Sequence, residues 1–64
     1  MESIKNEDIT RAANAYIRTF KANYPNREFF EDKAMCDHFY AWVRREGFFG
    51  WADSIGDKIC KIVG

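Results

Sequence analysis

Leucine and glutamine are absent from this 64-residue chain, and histidine and proline occur once each, at His38 and Pro25. Without leucine, its usual packing role falls to Phe, Tyr, Trp and Ile. With a single histidine, the commonest general acid–base and metal-binding side chain is nearly missing. Net charge is absent too: ten basic and ten acidic side chains cancel, so no global field draws the chain to nucleic acid or to an anionic membrane. The longest unbroken apolar run, "FYAWV" from Phe39 to Val43, falls far short of a membrane span. Met1 leads directly into "ESIKNEDI", which holds no apolar stretch of signal-peptide type. These absences predict a chain that works in the cytoplasm, away from membranes.

Sixty-four residues allow one domain, 1–64, near the size at which a single core only just suffices. The two cysteines, Cys36 and Cys60, do not make a disulfide framework without a secretory signal. The expectation is two reduced thiols, each at least half buried.

What is present is helical periodicity. Asn6 is placed to cap a first helix, with Glu7 and Asp8 in the first turn, where the helix dipole favours anions. Ile9, Ala13, Tyr16, Ile17 and Phe20 then recur at helical spacing. Pro25 disfavours helical geometry at Tyr24, so this helix is predicted over about residues 7–23. A second is predicted over about 27–46, capped by Asn26, with Asp32 as a later alternative start and Gly47 as its stop. Its apolar residues spread widely, from Phe29 and Phe30 to Trp42 and Val43, leaving a narrow polar stripe through Lys33, Asp37 and Arg44. A helix so apolar all round is normally central. The third, about 51–63, sets Ala52, Ile55, Ile59, Ile62 and Val63 against Asp53, Ser54, Asp57, Lys58 and Lys61. Gly56 costs it about 1 kcal/mol relative to Ala, so it depends on tertiary packing. The predicted fold is all-α, a compact three-helix bundle.

The spacing also fixes a register. Cys36 lies about twelve residues before the second connection's centre and Cys60 about twelve after it. In an antiparallel hairpin of continuous helices the two therefore sit at nearly the same height, near one helix–helix seam.

Catalytic chemistry finds little to work with. Beyond tyrosine the hydroxyl residues are Ser3, Thr10, Thr19 and Ser54, and no segment resembles a nucleophile elbow. His38, one turn from Ala34, Ala41 and Trp42, is expected to pack at a boundary. Cys36 and His38, two residues apart, point roughly 200° apart on a helix and cannot jointly hold a metal. Asp53 and Asp57 share a face, but Asp57 and Lys61 form an i,i+4 pair of the ordinary surface kind. There is no glycine-rich phosphate loop. No enzyme activity, metal or cofactor is expected.

A helix-turn-helix would have to use the second and third helices, and its recognition helix would lead with Asp53, Ser54 and Asp57. Phosphate repulsion disfavours that entry, and Arg44–Arg45 is the only adjacent basic pair. A DNA-binding regulator is thus the alternative reading. A membrane-surface role for residues 48–64 is weaker still, because acidic residues offset the basic ones there. "FYAW" followed by "DSIGDKI" resembles, over about a third of the chain, the aromatic helix and Asp-x-Ile-Gly-Asp helix of small YozE-type proteins. The first helix has no counterpart, and the resemblance implies no defined biochemical role.

One connection stands out. "EGFFGWA" carries Phe48, Phe49 and Trp51 between glycines, where loops are usually polar. These rings can plug the open end of the helical hairpin, or they can present a binding face. Counting both cysteines and leaving out Met1 and alanine, twenty-two large apolar residues run from Ile4 to Val63. A domain this small buries only ~60% of its unfolded surface, so a cluster left outside would mark an interaction site. Arg44, Arg45, Phe48, Phe49 and Trp51 are the expected partner-binding residues, since Trp and Arg dominate interface energetics. The predicted function is that of a small protein-binding regulator, an inhibitor or adaptor. Inhibitors of this size are common among bacteriophage and mobile-element products, and homodimerisation through the same aromatics is compatible with either reading.

Overall fold

The helical spacing of Ile9, Ala13, Tyr16 and Phe20 becomes the inner face of α1, Asn6–Asn23, in the computed structural model, which describes residues 5–64. Ser3 and Ile4, both named above, lie outside the described residues. The helix begins one residue earlier than expected. Lys5, in extended geometry, is the cap residue, and its carbonyl accepts from the N–H groups of Asp8 and Ile9. Asn6 is already helical and supplies no side-chain cap. At the far end Asn23 donates its side-chain amide to the Thr19 carbonyl, and the Tyr24 N–H closes on Phe20.

The second helix differs more from expectation. It runs Lys33–Glu46 (α2), so the later start at Asp32 is the one realised and Asn26 caps nothing. The Asp32 carboxylate accepts from the Met35 N–H at 2.9 Å. The six preceding residues are held as a turn by their own polar groups. Arg27 bridges Glu31 at 2.8 Å and Asp32 at 2.7 Å, and Glu31 also accepts from the Glu28 N–H at 2.6 Å. Phe30 is left-handed at φ 59°, the one non-glycine residue with positive φ among those described, so no helix can pass through it.

The stop at Gly47 is as expected. Its φ of 86° places it in the left-handed region, its N–H bonds Arg44, and the Phe48 N–H reaches back to Val43 at 2.8 Å. That double closure is a Schellman motif, which satisfies carbonyls the helix end leaves open. A single 3₁₀ turn, Phe49–Trp51, follows, and α3 runs Ala52–Val63. The described residues form three helices and no strand, an all-α three-helix bundle.

Side-chain size sets the spacing inside it. The backbones of α1 and α3 come closest, with Ala12 and Ala13 buried on α1 and Ala52, Ile55 and Ile59 buried on α3. Between α1 and α2 the filling is aromatic. Tyr16 meets Phe39 edge-on with centroids 5.1 Å apart and lies 5.1 Å from Trp42. Tyr16, Phe20, Val43, Ile55 and Ile59 are closed off almost completely from solvent. The rings thus take over the packing that leucine would otherwise supply, at the cost of a wider seam beside α2. No described helix is long and apolar enough to cross a membrane.

Candidate functional site

The second connection separates its three aromatic rings. Phe48 and Trp51 are half-buried and pack against the core. Phe48 does so because the Schellman closure turns it back beside Trp42, where the two rings with Ala12 and Ala15 line a shallow recess against α1. Phe49, one residue into the 3₁₀ turn, faces outward with 49% of its surface exposed. The Arg44 guanidinium lies over its ring, 4.9 Å from the centroid. Tyr40, 41% exposed, meets the same ring edge-on at 6.3 Å. Tyr40 and Arg44 are one helical turn apart on α2 and so share a face, and Phe49 packs against both. Arg45 is exposed but stands ~100° further round the helix than Arg44.

Of the five expected residues, the structure therefore brings Arg44 and Phe49 into direct contact. It sets Phe48 and Trp51 partly inward and leaves Arg45 to one side. Tyr40 belongs to the exposed cluster and was not among the expected residues. Its i,i+4 relation to Arg44 was the available signal. A cation over an exposed ring is worth about 0.5–1 kcal/mol, enough to bias the ring's orientation but not to fold the chain.

His38 does pack at a boundary. Its Nδ1 lies 2.8 Å from the Tyr16 hydroxyl, and its ring meets Tyr24 edge-on at 5.0 Å. The contact gives the Tyr16 hydroxyl the hydrogen-bond partner a buried phenol needs. Burial, with smaller contributions from Tyr24 and Cys36, pushes the Tyr16 phenol well above its ordinary range. Asp57 and Lys61 form their ion pair at 3.3 Å, with both side chains largely exposed, so it adds little to stability. Among the described residues no three His, Cys, Asp or Glu side chains converge as a metal-binding set.

The cysteines require a correction. Cys36 is half-buried, as expected, but Cys60 is exposed. It follows Ile59, which is fully buried, and one residue of helical rotation carries it ~100° away from the core. The shared seam is found: both cysteines line the same groove between α2 and α3, where Phe39 packs against Gly56 and an added Cβ would lie 3.6 Å from the ring.

No protein-family model matches this chain, and neither does any curated protein or solved structure. The likeness to YozE-type proteins is thus confined to the two short segments that suggested it.

Proposed function

We propose that the chain is a small, non-enzymatic protein-binding regulator of inhibitor or adaptor type, acting in the cytoplasm through its exposed aromatic–arginine surface. The observation that carries this reading is Phe49, half open to solvent yet oriented by Arg44 and Tyr40. A phenylalanine offers ~150–250 Å² to burial. The half still open, at ~25 cal/mol per Å², corresponds to about 2–3 kcal/mol on docking. That is the size of an interface hot spot, and the contacts with Arg44 and Tyr40 lessen the entropy the ring loses on binding. Phe48 and Trp51 contribute from behind by fixing the connection, and Arg45 supplies a further rim cation.

The test is affinity capture from the native host with the wild-type chain and with Phe49→Ser, washed at low and high salt, followed by mass spectrometry. A protein retained by the wild type in high salt and lost by Phe49→Ser is the expected result. Retention by both chains alike overturns the reading. Material that includes nucleic acid and is released steeply by salt would favour the DNA-binding alternative instead.

A further inference from the structure

Beside the Phe49 cluster runs a groove of about 350 Å³ between α2 and α3. Its floor is apolar. Gly56 has no side chain to fill it, so the Phe39 ring, with Phe30 edge-on to it at 5.2 Å, forms the base. Tyr40 and Cys36 make the α2 wall. Tyr40 also touches Phe49, so groove and cluster form one continuous surface. The α3 wall is different in charge: it presents Asp53, Asp57 and Cys60, all exposed. Asp53 joins no ion pair among those found in the described residues, and the Asp57–Lys61 pair is solvent-exposed and easily exchanged.

We infer that this groove docks an amphipathic helix of a protein partner, one with an apolar ridge and lysine or arginine along the flank that meets α3. The inference rests on the protein-binding reading above and gives its partner a chemistry. Two antiparallel helices leave between them a channel suited to the ridge of a third. Phe39 itself is buried, so a large apolar anchor would sit on the bare backbone at Gly56, between Tyr40 and the α3 wall. Charge complementarity then chooses the occupant: among the described residues the only charged groups lining the groove are Asp53 and Asp57 on the α3 wall, so a basic flank is favoured along α3. Arg44, beyond Tyr40, favours an acidic group where the docked helix leaves toward Phe49.

Cys60 is a built-in reporter, since it is exposed and forms part of the acidic wall. The probes are two synthetic helical peptides with the same apolar ridge, one carrying Lys/Arg on a single flank and the other Glu. Alkylation of Cys60 by iodoacetamide is followed by mass spectrometry. The basic peptide is expected to slow alkylation about tenfold at saturation and to bind at least about tenfold more tightly than the acidic one. Asp53→Lys/Asp57→Lys should reverse that preference, and Asp53→Asn/Asp57→Asn should abolish it. Circular dichroism confirms that each variant is folded, and the neutral pair serves if the reversed pair is not. Absence of protection by either peptide, or equal protection by both, overturns the inference. Protection that rises with the protein's own concentration, without peptide, overturns it in favour of a second copy of this chain. Loss of the groove result with capture through Phe49 intact leaves the broader reading standing; loss of capture with peptide protection intact does the reverse.

Discussion

Two Phe-Phe pairs flank α2, Phe29–Phe30 before it and Phe48–Phe49 after it, and the chain treats them differently. In the first, both rings turn inward. Phe29 stacks on Phe20 with centroids 4.3 Å apart and planes 27° apart, and Phe30 meets Phe39 edge-on. In the second, Phe48 turns inward and Phe49 outward. The backbone explains much of the contrast. Before α2, polar side chains do the turning: Arg27 gathers Glu31 and Asp32, and Phe30 itself takes the left-handed geometry. After α2, Gly47 takes that geometry, and the 3₁₀ turn it leads into points Phe49 at solvent. An aromatic pair beside a turn is therefore not in itself a binding feature. Which residue carries the positive φ decides where the rings go.

The largest effect should come from the inward pair. Phe29→Ala removes a ring stacked on one of the best-buried residues, Phe20, and packed 6.2 Å from Tyr16. Phe29 is only half-buried, so the loss should fall at or below the lower end of the range for buried phenylalanines, about 2–3 kcal/mol. For a domain this size that lowers the melting temperature by roughly 10–20 °C. A shift under a few degrees in a thermal melt would mean that the first connection is no part of the core.

Next come the two left-handed positions. Gly47→Ala has open space around the added methyl, so its cost is backbone strain alone, about 1 kcal/mol. At Phe30 the same physics inverts an ordinary ranking. Phe30→Ala and Phe30→Gly both lose the ring against Phe39, but glycine also relieves the left-handed strain. Phe30→Gly should therefore be more stable than Phe30→Ala by about 1 kcal/mol, measured by denaturant unfolding. Equal stabilities, or alanine ahead, would show that Phe30 is not held at positive φ in solution.

Much of this fold was legible in the residues. The helical spacing of Ile9 to Phe20, the stop at Gly47 and the amphipathic pattern around Ile55 and Ile59 each predict the elements found. The start of α2 was harder. Phe29 and Phe30 extend its apolar pattern smoothly, and the signal against helix lies in the local bonds of Glu31 and Asp32 to Arg27 and of Asp32 to the Met35 N–H, which favour the later start that Asp32 also offers. Asn6 failed as a cap because Lys5, a residue with no capping side chain, already turns the chain. The candidate site's rings were legible in composition but their direction was not. "EGFFGWA" names the rings, yet which of Phe48, Phe49 and Trp51 faces out depends on the Schellman closure and the 3₁₀ turn. Cys60 shows the same limit: it borders Ile59 in sequence and lies on the other side of the surface in space.

The smallest effect on stability should come from the outward ring. Phe49→Ser gives up contacts with Arg44 and Tyr40, which are themselves exposed. Its loss of cation–π attraction, about 0.5–1 kcal/mol, is offset in part by taking an exposed apolar ring out of water. The net change should stay within about 0.5 kcal/mol, the range of ordinary surface substitutions. The melting temperature would then move by no more than roughly 2–4 °C. Phe29→Ala and Phe49→Ser thus remove similar rings from similar dipeptides with expected costs several-fold apart. Should Phe49→Ser destabilise as much as Phe29→Ala, the outward ring is structural, and the surface proposed for partner binding loses its central residue. If instead it leaves the fold intact and abolishes capture, the two properties separate at this one side chain. Core burial cannot produce that separation, because a ring that stabilises the monomer cannot be removed without cost to it.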